Sequence, residues 1–176
     1  MSPSPDQTSR FTAWLEEHRG IVIKVARSFA PAPADTADLQ QEMLLQLWSS
    51  VASYAGQAKP STWIYRVCLN TALTWRRGTA RRQRHHEPEA DIARIAAEAA
   101  TPAEQAGDRE TLDQLYTAIH ALPMFDRALV LLALDGLAYR EIAEITGLTE
   151  NHVGVSLTRA RKRLAELMKG GIDELE

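Results

Sequence analysis

Apolar residues recur at three- and four-residue steps along most of this chain, and each such stripe predicts an amphipathic helix. Phe11, Leu15, His18, Val22, Val25 and Phe29 line one side of a first helix, which the segment APAPAD ends. Leu39, Met43, Leu47 and Val51, joined by Leu44 and Trp48, form a second stripe. Asp35 is placed to cap that helix, and Asp38, Gln41 and Glu42 fall on its polar side. Tyr54 to Pro60 has the composition of a loop, and Ser61 is a natural cap for a third helix beginning at Thr62. Trp63, Ile64, Val67, Cys68, Thr71 and Trp75 give that helix a packing face. Further on, Leu112, Leu115, Tyr116, Ile119 and Leu122 repeat at helical spacing up to Pro123, and Phe125 to Leu134 is strongly apolar until Asp135-Gly136 breaks it. No strand of convincing length and no internal repeat stands out, so the pattern predicts an all-α chain.

Tyr139 to Leu167 carries the most specific pattern, a short helix, a tight turn at Gly147, Leu148 and Thr149, and a long basic helix. Ile142, Ala143 and Ile145 give the first of these an apolar side. Gly147 supplies the positive φ a turn needs, and Leu148 can plug the angle between the helices. The Thr149 hydroxyl can accept from the amide of Asn151 or His152, and Glu150 suits the positive end of the helix dipole. Val153, Leu157, Ala160 and Leu164 form a buried stripe, while Arg159, Arg161, Lys162 and Arg163 crowd the other faces. This is the pattern of a helix-turn-helix, whose second helix enters the major groove while its cationic end grips phosphates. A helical hairpin with a solvated basic face is the alternative.

Charge sharpens the division into parts. The net charge of -3 hides strong segregation. Between Lys59 and His86 there is no Asp or Glu, whereas from Glu87 to Asp113 acids outnumber Arg94 and Arg109. Local fields rather than their sum decide what binds where. A three-helix unit over 9–86, an acidic flexible linker over 87–108 and a helix-turn-helix unit over 109–169 are therefore expected. The hydrophobic fraction of 45% is enough for a buried core. A single cysteine, Cys68, excludes an internal disulfide and a cysteine-cluster zinc site. No catalytic constellation or phosphate-cradling loop is present, and the adjacent His85 and His86 point too far apart on a helix to share one ion with Glu87 or Asp91. No apolar run reaches the length of a membrane span, and the leader has no signal-peptide pattern, so a cytoplasmic location is expected.

The order DLQQEMLLQLW, a short loop, STWIYRVCLNTALTWRR, and then LPMFDRALVLLALDGLAYREIAEITGLTENHVGVSLTRARKRL resembles a bacterial extracytoplasmic-function sigma factor. The likeness runs from about Phe11 to Leu167. It implies a non-enzymatic promoter-specificity subunit with no cofactor and no metal. The implied partners are core RNA polymerase (its β′ clamp helices and β subunit), promoter DNA and an anti-sigma factor. On this likeness Asp38, Leu39, Gln41, Glu42 and Trp48 dock on the polymerase, while Tyr54, Lys59, Trp63, Arg66, Asn70, Arg76 and Arg77 serve the minus-ten element. Extracting a base there costs a few kcal/mol and needs a fixed pocket, in which an Asn amide can both donate and accept. Thr149, Glu150, Asn151, His152, Ser156, Arg159, Arg161, Lys162 and Arg163 serve the minus-thirty-five element. The sequence departs from the family where Gly154, Val155 and Ser156 replace a cation-rich run, and where Ala138 takes the place of a capping Ser or Thr. An autonomous helix-turn-helix regulator is the competing reading.

Overall fold

The computed structural model describes residues 5–82 and 105–173, with side chains over 7–75 and 109–169. Among these residues lie seven α-helices and no strand: α1 (Pro5–Phe29), α2 (Pro33–Ser50), α3 (Pro60–Arg82), α4 (Gln105–Ala121), α5 (Met124–Leu134), α6 (Tyr139–Thr146) and α7 (Glu150–Asp173). A 3₁₀ turn at Val51–Ser53 follows α2. The expected all-α class holds.

Helix starts differ from the capping pattern in the sequence. The first three helices open on proline, Pro5, Pro33 and Pro60, rather than after Asp35 or Ser61. A proline in the first turn loses nothing by lacking an N–H that would have no intrahelical partner, and its fixed φ already suits a helix. Asp35 lies inside the first turn of α2, where its charge meets the helix dipole, and the Thr36 hydroxyl donates to the Ala30 carbonyl at 2.9 Å. α1 likewise begins before Phe11, and the Gln7 side chain donates to the Trp48 carbonyl at 3.0 Å, tying the start of α1 to the end of α2. Gln105 to Asp108 belong to α4 although the sequence suggested linker there; residues 87–104 lie outside the described part.

The stripes read from the sequence are the core. Val22, Val25 and Phe29 of α1 meet Leu39, Met43 and Leu47 of α2 and Ile64, Cys68 and Ala72 of α3, all fully or nearly fully buried. Burial pushes the Cys68 thiol up to about 12, which leaves it a packing group rather than a nucleophile. In the second unit α5 is apolar nearly all round and packs against α4, α6 and α7, with Leu129, Leu132, Ile142, Val153 and Leu157 shielded from solvent. These residues form one cluster across both units, because α1 also packs on α4 and α5, and α3 packs on α6.

Polar groups finish that junction. Asp135, in the turn after α5, accepts from Lys24 of α1 and from the Tyr65 hydroxyl of α3. Arg27 Nη2 donates to Asp113 at 2.6 Å while its guanidinium lies 4.3 Å from the Tyr116 ring centre. Arg127 is buried and donates to the Ser28 carbonyl at the end of α1 and to the Leu122 carbonyl at the end of α4. One cation thus serves carbonyls at the negative ends of two helices.

Candidate nucleic-acid interface

α3 sets out the first surface by its period. Trp63, Arg66 and Asn70 follow at steps of three and four, so they share one face within about 60° of each other. Arg66 and Asn70 are exposed and Trp63 is half-buried. Trp63 closes an aromatic group with Tyr54 and Trp14, its ring centre 5.7 Å and 5.3 Å from theirs. The Tyr54 hydroxyl donates to the Ala58 carbonyl, which fixes the loop before α3 over that group. Trp14 was not marked by the sequence reading, since a tryptophan on a core helix looks like packing. Arg76 and Arg77 continue the helix, and their side chains fall outside the described part.

Two cations of this face already have partners. Lys59 Nζ donates to Glu141 Oε1 of α6 at 2.8 Å, and Arg66 Nη2 donates to the Glu144 carbonyl at 2.6 Å. Glu141 also accepts from the Ala138 amide at 3.1 Å, the half of a capping box that needs no side chain on Ala138. The hydrogen bond from Lys59, then that from the Ala138 amide, holds the Glu141 carboxyl below its ordinary pKa; the same bond to Glu141 holds Lys59 above its own.

The second surface is α7. Gly147 closes α6 at φ +76°, in the left-handed region that a Cβ disfavours, and half-buried Leu148 packs against the core. Of the two amides suggested for the Thr149 cap, the one used is His152, at 3.3 Å. Glu150, Asn151, His152, Arg159, Arg161 and Lys162 are exposed, and Ser156 is half-buried. Arg163 is committed elsewhere: it pairs with Asp126 of α5, whose side chain is only 11% exposed. Gly154 has a packing reason, because a Cβ there would stand 3.3 Å from the Tyr139 ring of α6. Val155, unmarked as a site in the sequence reading, is 47% exposed.

The third surface is the outer side of α2. Asp38 and Gln41 are exposed and Glu42 is half-buried, accepting from Gln46 at 2.9 Å. Leu39 departs from the expected contact set: it is fully buried, so it supports this face from beneath. Trp48 is half-buried edge-to-face against Phe11, with ring centres 5.1 Å apart. Leu45, one turn beyond Gln41 and Glu42, is 57% exposed and joins the face. Among the described residues no group of His, Cys, Asp and Glu could hold a metal ion, and no helix is long and apolar enough to cross a membrane.

Three helices presenting an aromatic-and-cation face, joined to a helix-turn-helix with an open polar face, define a two-unit helical protein of the DNA-binding class. Residues 14–82 match sigma-70 region 2 and residues 112–164 match sigma-70 region 4. The chain belongs to the extracytoplasmic-function sigma factors. It is 26% identical to the sigma factor SigG of Mycobacterium tuberculosis over 98% of its own length, yet spans only 52% of that protein. It is 28% identical to the sigma-E factor of Escherichia coli, covering 88% of this chain and 84% of the relative. The fold is shared with RpoE of Bartonella quintana, solved with the anti-sigma factor NepR, at a TM-score of 0.65 and 21% identity over 94% of this chain and 98% of that one. CnrH, solved with the cytosolic domain of CnrY, gives the same TM-score at 19% identity, over 93% and 90% of the two chains.

Proposed function

We propose that this chain binds core RNA polymerase and directs promoter-specific initiation, with no catalytic activity of its own. Its place of action is the cytoplasm. The observation that carries the reading is the order of two matched regions, each presenting its own exposed polar face, on α3 and on α7. Asp38, Gln41, Glu42 and Leu45 of α2 form the polymerase contact, with Leu39 and Trp48 beneath and beside them. Trp63, Arg66 and Asn70, with Tyr54, Lys59, Arg76 and Arg77, take the minus-ten strand once it melts, and the outer face of α7 takes the minus-thirty-five duplex. Two sites on one chain gain from each other by effective concentration. A protein of the same fold, RpoE of Bartonella quintana, was solved with an anti-sigma factor, and this supports an anti-sigma factor as a further partner of this chain.

Co-purification with core polymerase, followed by promoter-directed transcription, tests the reading. A stoichiometric complex that initiates at defined sites is expected; an autonomous regulator forms no such complex. Asp38→Arg with Glu42→Arg should weaken core binding at least ten-fold in a chain that still unfolds at the wild-type temperature, since both lie off the core stripe. Unchanged affinity in the folded double variant removes α2 from the polymerase contact.

A further inference from the structure

We propose that Val155 reads the 5-methyl group of a thymine in the major groove of the minus-thirty-five element, an inference that rests on the sigma-factor reading above. The buried stripe of α7 is Val153, Leu157, Ala160 and Leu164. Successive helical residues turn by about 100°, which puts Val155 about 200° from Val153 and therefore at the middle of the outer face. Asn151 and His152 lie one turn before it and Thr158 and Arg159 one turn after, all exposed. Its neighbours in sequence are Gly154 and Ser156, both small, so the branched Val155 side chain stands above the helix surface at that level.

A lone exposed apolar side chain is ordinary on a protein surface; the place of this one is not. It sits at the centre of the face that a helix-turn-helix presents to bases, ringed by groups that hydrogen-bond. A valine side chain can neither donate nor accept, and the thymine methyl is the apolar group that base edges offer in the major groove. Asn151, His152 and Arg159 would read donors and acceptors around it. Leu167, also exposed on α7, lies three turns further on and outside the groove-facing half.

The test uses the full chain reconstituted with core polymerase. A minus-thirty-five element is first selected from randomised duplex promoters, and each of its thymines is then replaced singly by deoxyuridine, which removes only the methyl. One replacement should weaken holoenzyme binding about three- to five-fold, the value of burying one methyl. With Val155→Ala the thymine and deoxyuridine duplexes should bind alike, and Val155→Thr, keeping one methyl, should fall between. A selected element insensitive to every replacement, or equally sensitive with Val155→Ala, overturns the inference and leaves the sigma-factor reading standing. Failure to select any element overturns both.

Discussion

Arg161, Lys162 and Arg163 look alike in sequence, and the fold separates them. Asp126, the partner of Arg163, is 37 residues away, and no local pattern announces such a pair. Removing Arg163 leaves a nearly buried carboxylate without its cation, whereas its two neighbours face solvent. Arg163→Ala should therefore lower stability by about 1 kcal/mol, the figure being moderate because the arginine itself is half-exposed. Arg161→Ala and Lys162→Ala should leave the unfolding midpoint alone and each flatten the salt dependence of DNA binding by about one phosphate contact. Equal unfolding midpoints in all three variants would return Arg163 to the phosphate-binding set. Asn70 was named on the family likeness alone, and the fold leaves its side chain exposed on α3. Asn70→Ala should keep duplex binding and reduce promoter melting, because its partner is a base that exists unstacked only after melting. Permanganate footprinting on a promoter checks this, and equal reactivity with both proteins would remove Asn70 from the site.

Whole elements were the most readable part of the chain, because burial repeats with the helical period. The stripes of α1, α2 and α7 are those of the sequence, and first turns were misplaced in α2 and α3, where proline took the role expected of Asp35 and Ser61. Within α6 and α7 the pattern left one residue unexplained, Gly154. Gly154 reads as a defect costing about 1 kcal/mol against alanine within a helix. In the fold it is where the Tyr139 ring crosses α7. Gly154→Ala then has two opposed effects, a propensity gain and a displaced ring, and the ring is partly exposed and able to swing. The expected gain in wild-type protein is well below the propensity value, while in a Tyr139→Ala background it should reach about 1 kcal/mol. Denaturant unfolding of the two single variants and the double variant measures the coupling. The same gain in both backgrounds would mean that Tyr139 does not confine position 154.

At the scale of the molecule, the packing of α6 on α3 was invisible in sequence, since every contact in it joins residues far apart along the chain. The acidic segment before α4 suggested two units on a tether and left their arrangement open; among the described residues one apolar core runs through both. Lys59 and Arg66, both proposed for the minus-ten element, each donate a hydrogen bond to α6 in this arrangement. On the proposed minus-ten role, promoter DNA and the Glu141 carboxylate would compete for the same ammonium, and engagement of DNA along α3 would favour parting of the two units there. Neutral pH does not control that step. Glu141 has a lowered pKa, so its contact is present above its ordinary value of 4.5 and is lost only as pH falls through the lower folded one. Lys59 has a raised pKa, so its side of the contact persists beyond 10.5. Ionic strength is the effective variable, because both groups are at the surface, where salt at physiological concentration screens beyond about 8 Å. Asp135 is better protected, its side chain only 12% exposed, and it holds Lys24 and Tyr65 together. The free chain should therefore expand on raising salt at constant pH. Asp135→Asn should expand it further than Glu141→Gln, since the more shielded carboxylate joins α1 and α3 to the second unit at once. Small-angle scattering reads the radius of gyration directly. A radius independent of salt in all three proteins would mean that the apolar contacts alone hold the units together, and that polymerase or DNA must supply the whole free energy of opening.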